Sequence, residues 1–316
     1  MNKEKASALK QTKVEIDTSH IVSTTLQHMV SPDQYETIIP RLNLFYSLNP
    51  TDPVPAFYRP SFCVIVQGAK SVHVGANQIR YGAGQYLIAG FDVPVIGAVT
   101  RASKEIPYIC VQLMFDRDVL LKMRHEMPPA KPLVSVGIAN TSPGLLSAVA
   151  RLVCLLNEPK HIQHLAPLYE QEILYWVLHG PYGAQLRKFV VNDNRTEPVE
   201  RAIDFLSDSY AEPFDLAALL NITARSRSSL YRDFKDATGV SPLQFRTRLR
   251  LQEARRLMIS DNLNAADAGY AVGYDSPSQL SREYRKLYGC PPIEDISKLK
   301  DGRSALQAEL SRKDAE

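Results

Sequence analysis

The apolar positions near the end of the chain follow the period of two short helices joined by a tight turn. Leu280, Tyr284 and Leu287 recur at spacings of four and three residues, which is the stripe that one face of a helix buries. The preceding segment starts after Asn264, an N-cap residue type, and stops at Gly273, which adopts the left-handed conformation at low cost. The pattern predicts a helix-turn-helix.

The second of these predicted helices has a sharp start and a polar outer face. Ser276, Pro277 and Gln279 supply an N-cap serine, a proline at the first helical position and a glutamine at the third, as in a capping box. With the apolar stripe turned inward, the outer face carries donors suited to base edges and phosphates, namely Ser278, Gln279, Arg282 and Arg285.

A diverged copy of this unit runs from Asp215 to Val240. Asp215 and Ser226 are candidate N-caps, and Leu230 with Phe234 gives the buried spacing of the second helix. The outward positions of that helix are Ser228, Tyr231, Arg232 and Lys235.

A connecting helix is predicted between the two units. The capping box from Ser241 to Gln244 opens it, and it runs to about Ile259. A helix of roughly 18 residues is about 27 Å long. Such a rod can hold two recognition helices about one DNA turn, roughly 34 Å, apart on one face of a duplex. The repeat therefore predicts a bipartite DNA reader.

Four phrases in this region resemble the DNA-binding domain of the AraC/XylS family of bacterial transcription regulators. They are TGVSPLQF from Thr238, RLRLQEARRLM from Arg248, AVGYDSPSQLSREYRKLYG from Ala271 and the proline pair at Pro291. The resemblance covers about residues 198–292 and implies base-reading positions at Ser228, Tyr231, Arg232, Ser278, Gln279 and Arg282. These positions coincide with the outward faces predicted from the apolar spacing.

The first unit departs from the family pattern at its helix crossing. Leu220, Thr223 and Arg225 stand where the family usually has alanine, alanine and an apolar residue. Overpacking or a buried charge would loosen the unit unless Arg225 reaches solvent or a phosphate. We therefore predict that the helix from Ser276 to Leu287 carries most of the sequence specificity, with the first unit a weaker partner or a mainly phosphate-binding one.

Charge supports this reading only where it is local. The whole chain carries a formal net charge of +3. Residues 221–290 contain twelve Lys and Arg against seven Asp and Glu, a difference of +5. A positive excess concentrated in the predicted DNA reader favours phosphate contacts.

The first half of the chain has the rhythm of short strands. Between Tyr58 and Phe115, runs rich in β-branched and aromatic residues alternate with turn signals, which predicts an antiparallel meander closing into a small barrel or sandwich. Helices are predicted near 143–156 and 161–180. The first of these helices carries an apolar stripe, which can pair with its copy in a second subunit or pack onto the barrel. The stripe consists of Val149, Leu152, Val153 and Leu156.

Motifs in this half resemble the cupin-like N-terminal domain of one branch of the same family. They begin at Tyr58 (YRPS), Val66 (VQGAK), Tyr81 (YGAGQYL), Val93 (VPV) and Pro107 (PY). The resemblance implies a module that senses a ligand or oligomerises. We predict an α+β two-domain chain: a cupin-like antiparallel β-barrel with helices over 1–190, a linker over 191–197, an all-α tandem helix-turn-helix domain over 198–300 and a polar tail over 301–316.

Signatures of catalysis are weak. A cupin metalloenzyme needs converging histidines and carboxylates, whereas the predicted barrel offers His73 alone, between two valines. His161 and His164 have the spacing of one helix face and could share a metal, although solvated or packed histidines are commoner. We predict no catalytic, cofactor or metal site, and the enzyme alternative is a metal-dependent cupin activity.

The remaining composition points to a cytoplasmic protein without a membrane partner. The first residues lack the apolar core of a signal peptide, and no run of about 18 apolar residues occurs. The scattered thiols lack a CxxC spacing and are expected to be free or buried, and they are Cys63, Cys110, Cys154 and Cys290.

Together these features predict a sequence-specific transcription factor. Its expected partners are double-stranded operator or promoter DNA, a second copy of the chain in a homodimer, a small-molecule effector, and RNA polymerase if it activates. A third reading keeps the helix-turn-helix fold and gives it a protein partner instead of DNA.

Overall fold

The computed structural model describes residues 17–29, 36–74, 77–90, 92–123, 136–184, 186 and 198–297. The predicted linker over 191–197 and the predicted tail over 301–316 lie outside these residues.

Nine strands in the described residues form two antiparallel sheets. The five-stranded sheet has the order β1-β8-β3-β6-β9, and the four-stranded sheet has the order β2-β7-β4-β5. In chain order the strands are β1 (Leu42–Ser47), β2 (Val54–Tyr58), β3 (Ser61–Gln67), β4 (Ala69–Val74), β5 (Asn77–Gly82), β6 (Gln85–Ala89), β7 (Val93–Arg101), β8 (Tyr108–Met114) and β9 (Val136–Asn140).

The pairing of these strands is that of a jelly roll. β1 pairs with β8, β2 with β7, β3 with β6 and β4 with β5. Jelly rolls consist of two packed sheets that remain open at their edges. The predicted meander and closed barrel are therefore wrong, and the sandwich alternative is correct, because most consecutive strands lie in opposite sheets. The cupin-like assignment stays a prediction.

The strand pattern identified β3 to β8 but not every element. β1 and β9 lie outside the predicted segment from Tyr58 to Phe115, and β2 shares only its last residue with it. A helix over 17–28, α1, and the short α2 (Arg117–Lys122) were also not predicted. The predicted helices near 143 and 161 are confirmed as α3 (Pro143–Cys154) and α4 (Ile162–Leu178).

Two apolar cores flank the five-stranded sheet. One fills the space between the two sheets, and the other lies between the five-stranded sheet and α3 with α4. The stripe predicted for α3 belongs to the second core and is at most 2% exposed, and it consists of Val149, Leu152, Val153 and Leu156. It packs within its own chain, so the packing onto the sheet is confirmed and the stripe is not available to a second subunit.

The C-terminal half consists of helices, and the sequence predicted the starts of five of them but not those of the helices at 198 and 292. Asp215, Ser226, Ser241, Asn264 and Ser276 each accept a hydrogen bond from a backbone amide in the first helical turn, which confirms all five as N-caps. The helices are α5 (Pro198–Asp208), α6 (Leu216–Thr223), α7 (Arg227–Thr238), α8 (Pro242–Ser260), α9 (Ala265–Ala271), α10 (Pro277–Tyr288) and α11 (292–297).

The two halves contact each other through aromatic side chains. The ring of Phe57 on β2 meets Phe245 on α8 edge to face, with centroids 5.1 Å apart, and Phe245 meets Phe234 on α7 at 5.4 Å. The core between the sheets is thereby continuous with the core of the first helix-turn-helix unit. A polar contact joins them as well, because the Ser207 hydroxyl donates to Asp92 at 3.3 Å.

The turn of the first unit predicts a stabilising substitution. Ala224 ends α6 with a φ of 50°, whereas the corresponding turn of the second unit uses Gly273 at 88°. Because a Cβ disfavours this conformation, Ala224→Gly should raise the free energy of unfolding by about 0.5 to 1 kcal/mol. Urea denaturation measures it, with Ala217→Gly inside α6 as a control that should lower stability. A loss in both variants would contradict strain at Ala224.

Candidate nucleic-acid interface

The helix α7 presents a polar face above a buried apolar one. Leu230 and Phe234 are fully buried, and Ser228, Arg232 and Lys235 are exposed. Tyr231 is half-buried, and its ring lies 5.5 Å from the guanidinium of Arg227 in a cation–π arrangement. The predicted outer positions of the first unit therefore lie on one accessible face.

The helix α10 repeats this arrangement in the second unit. Leu280 and Tyr284 are fully buried, while Ser278, Arg282 and Arg285 are exposed. Neither arginine has an ion pair with any residue that the structure describes. Two cations and a hydroxyl are thus accessible on the outer face of α10.

Two of the predicted contact residues have neighbours on their own helix. Arg232 donates from Nε and Nη2 to Asp233, at 3.2 and 3.1 Å, although its side chain remains 71% exposed. Such an exposed pair contributes little and can exchange for a phosphate. Half-buried Gln279 holds its amide 3.5 Å from Glu283. Among the described contacts only the Ser276 half of the predicted capping box forms.

The departure of the first unit from the family pattern causes no packing defect. Thr223 is 1% exposed, and its hydroxyl donates to the carbonyls of Leu219 at 2.8 Å and Leu220 at 3.2 Å. Leu220 is half-buried against the core, and Arg225 is exposed. The buried polar group is satisfied and the charge reaches solvent, so neither feature loosens the unit.

The positive charge of the region is only partly available to a ligand. Buried Arg246 and Arg250 bind backbone carbonyls, Arg255 pairs with Asp295 at 2.7 Å, and Arg256 pairs with Glu253 at 2.8 Å. Because Asp295 lies outside residues 221–290, its pair with Arg255 cancels one positive charge that the net charge of +5 still counts. The exposed cations are Arg225, Arg227, Arg232, Lys235, Arg256, Arg282, Arg285 and Lys286.

A buried polar group anchors α10 from behind. The hydroxyl of Tyr284 donates to Asp295 Oδ2 at 2.6 Å, and the Arg255 guanidinium donates to both oxygens of the same carboxylate. Burial raises the pKa of Tyr284 well above its ordinary value, and burial raises the pKa of Tyr288 to about 12. Both hydroxyls therefore stay protonated at neutral pH, and the Tyr284 bond holds α10 against α8 and α11.

Cys63 and Cys110 lie within hydrogen-bonding distance of each other, but no histidine that the structure describes joins them. His73 is half-buried on β4, His161 lies 3.6 Å from Glu158, and His164 is exposed. No three metal-ligating residues of the described ranges cluster together. Cys63 and Cys110 are buried and all four cysteines are free thiols. Within the same ranges, no helix has the length and apolarity to cross a membrane.

A cavity of about 570 Å³ lies beside α4 rather than between the sheets. Its walls are mostly apolar, and Arg41 with Glu170 forms its polar end, joined by hydrogen bonds of 2.6 and 3.1 Å. The space between the sheets is filled by side chains of both sheets. The cavity therefore lies on the helix side of the five-stranded sheet.

The architecture defines a class of protein in which a β-sandwich precedes two helix-turn-helix units on one connecting helix. Residues 38–185 match the family described as AraC-type transcriptional regulator N-terminus, and residues 219–296 match the helix-turn-helix domain family. Together these matches cover more than two thirds of the chain. The chain belongs to the AraC family of transcriptional regulators.

Curated relatives are similar over part of their length. The virulence regulon transcriptional activator VirF of Yersinia enterocolitica is 24% identical over 176 residues, which cover 56% of this chain and 64% of VirF. The transcriptional activator RhaS of Escherichia coli O1:K1 is 26% identical over 161 residues, which cover 50% of this chain and 56% of RhaS. The chain thus spans less than two thirds of each of these relatives.

Solved structures of ToxT from Vibrio cholerae share the fold. An apo ToxT variant superposes with a TM-score of 0.60 at 11% identity, covering 84% of this chain and 99% of ToxT. A wild-type ToxT bound to an unsaturated fatty acid gives a TM-score of 0.56 at 12% identity, covering 81% of this chain and 94% of ToxT. The two-domain arrangement is therefore shared at very low sequence identity.

The hydrogen bond between Tyr284 and Asp295 that anchors α10 can be tested by removing a single oxygen atom. Tyr284→Phe removes the hydroxyl that donates to Asp295 and leaves the ring in place, so the free energy of unfolding should fall by about 1.5 kcal/mol. Thermal or urea denaturation measures this loss. Tyr270→Phe, at a ring that is 57% exposed, is the matched control and should change stability by less than about 0.5 kcal/mol. Equal effects would argue against the anchor.

Proposed function

We propose that this chain is a sequence-specific DNA-binding regulator of transcription that inserts α7 and α10 into successive major grooves. The observation that carries the proposal is the repeated presentation of exposed donors on two capped helices. These helices are joined by α8, whose 19 residues span about 28 Å. That length matches the spacing needed to reach one face of a duplex at two adjacent turns.

The eight candidate side chains divide into two roles in this proposal. Hydroxyl, amide and guanidinium groups read base edges, and we assign this role to Ser228, Tyr231, Arg232, Ser278, Gln279 and Arg282. The cations one helical turn further along, Lys235 and Arg285, contact phosphates and fix the position of each helix.

The second unit is proposed to contribute more of the specificity. Arg282 has no intramolecular ion pair among the described residues, whereas Arg232 must first leave Asp233. An unpaired donor breaks no intramolecular bond on binding, whereas release of an exposed pair such as that of Arg232 costs up to about 1 kcal/mol. The packing of the first unit does not oppose DNA binding. The proposed difference in specificity between the two units therefore rests on the ion pair that Arg232 makes and Arg282 lacks among the described residues.

The N-terminal half is proposed to couple a small-molecule effector to DNA binding. ToxT, which shares the fold, has been solved with an unsaturated fatty acid bound. In this chain the cavity beside α4 has the size and mostly apolar lining of a small-molecule site. We further propose a homodimer that acts on DNA in the cytoplasm, contacts RNA polymerase when it activates, and has no catalytic activity.

The decisive test is a mobility-shift assay over a salt series with duplexes selected from a random library. About six phosphate contacts would weaken binding roughly a thousandfold between about 50 and 200 mM salt. Arg285→Ala should reduce the slope of log affinity against log salt by about one, while Arg80→Ala, at an exposed cation of the sandwich, should leave it unchanged. Binding without sequence preference or salt dependence would support the protein-partner reading instead.

A second test addresses base reading by α10. Arg282→Ala should weaken binding to the selected duplex by about 1 to 3 kcal/mol and relax the preference at one base position. Competition with duplexes mutated one position at a time measures both effects. Arg80→Ala removes the same charge far from α10 and should retain the full preference. If Arg282→Ala binds as tightly and as selectively as the parent, the assigned face of α10 is wrong.

A further inference from the structure

Two buried arginines of the connecting helix α8 do not face any surface available to DNA. Arg246 and Arg250 are 9% and 8% exposed and lie one helical turn apart. Their guanidinium groups point at the turn that follows α5. Their charges therefore act inside the protein, and the free-energy cost of burying them must be offset by hydrogen bonds.

The turn after α5 supplies those hydrogen bonds through backbone carbonyls. Arg250 donates from Nε to the Tyr210 carbonyl at 2.6 Å, and from Nη2 to Ala211 at 2.9 Å and Glu212 at 3.0 Å. Arg246 donates to the Tyr210 carbonyl at 3.0 Å and also to that of Glu212. Since α5 packs against α6 and α7 as well as against α8, this turn belongs to the packing of the first helix-turn-helix unit.

The second unit contacts the same arginine from the other side. Gly273 lies so close that a Cβ there would clash with the Ala211 carbonyl oxygen and lie 2.6 Å from Arg250 Nη2. The guanidinium carbon of Arg250 lies 5.5 Å from the ring centre of Tyr274. The turn between α9 and α10 is thus packed directly onto the arginine that holds the first unit.

The contact continues to the recognition helix. The Tyr274 hydroxyl donates to Glu283 Oε2 at 2.7 Å, and Glu283 follows Arg282 on α10. An unbroken path therefore runs from the turn after α5, through Arg250 and Tyr274, to the helix that presents Arg282. Each step is a hydrogen bond or a cation–π contact.

We propose that Arg246 and Arg250 form a clamp that sets the position of α10 relative to α7, and thereby the spacing at which the two recognition helices meet DNA. Arg250 is a positioning residue in this scheme and does not touch the nucleic acid. A guanidinium suits the role because its planar fork reaches several carbonyls at once, which an ammonium group does not. The inference rests on the proposed function, since the spacing matters only for a bipartite ligand.

The first experiment measures the geometry without DNA. Spin labels are placed at Ser228→Cys and Ser278→Cys in the full chain, with Cys154→Ser and Cys290→Ser so that only buried thiols remain. The parent should give one narrow distance distribution. Arg250→Lys, which keeps the charge but loses the fork, should give a broadened one, and Tyr274→Phe should do the same. Arg256→Lys, on the exposed side of α8, is the matched control and should stay narrow.

The second experiment measures the consequence for DNA binding by the full chain. The duplex is one selected from a random library, and it contains one site for α7 and one for α10. Two base pairs are inserted between these two sites. The insertion should lower the affinity of the parent by at least about tenfold. It should lower the affinity of Arg250→Lys by less than about threefold, because in this variant the second unit can move to reach the displaced site. Arg285→Ala should bind more weakly to both duplexes and keep the tenfold ratio.

The outcomes separate the clamp from the proposed function. If Arg250→Lys keeps both the narrow distance distribution and the full spacing penalty, the clamp is wrong. If the parent selects no duplex at all, the proposed function fails, and the distance measurement still decides the clamp. Far-UV circular dichroism identifies a variant that fails to fold, in which case Arg246→Lys replaces it in both experiments.

Discussion

The burial of Phe245 at the start of the connecting helix is the contact on which the arrangement of the whole molecule depends. This ring is fully buried. It contacts Phe57 of the sandwich on one side and Phe234 of the first helix-turn-helix unit on the other. Edge-to-face aromatic contacts of this kind have a preferred geometry beyond the area that they bury. This side chain thereby joins α8 to both the sandwich and the first unit, and α10 of the second unit contacts β2 as well.

Helix boundaries could be predicted from the sequence because they depend on local chemistry. Ser241 and Asn264 begin helices since their side chains satisfy amides only two or three residues away. Strand pairing could not be predicted, because β1 and β8 are joined by registers such as Leu44 with Val111 that no turn signal encodes. The sequence pattern therefore identifies most of the strands but leaves a closed barrel and a sandwich open, and the strands form a sandwich.

The candidate site shows the same division between local and distant information. The exposure of Ser278 and Arg282 follows from helical periodicity, and the structure agrees with that pattern. The internal use of Arg250 does not follow, since its partners lie about forty residues upstream on the backbone, at Tyr210 and Ala211. Charge counted along the chain cannot separate an arginine that meets solvent from one that organises carbonyls. The one available signal was the spacing of Arg246 and Arg250 on the connecting helix.

The jelly-roll connection has a consequence for the order in which the molecule folds. Its outermost pair joins strands separated by more than sixty residues, whereas each helix-turn-helix unit is built from neighbours along the chain. Because distant contacts require costly loop closure, we expect the helical domain to form first and the sandwich more slowly. In this order, part of the Phe245 ring stays exposed until β2 forms and brings Phe57 into contact with it. The contact between the two halves is then the last one to form.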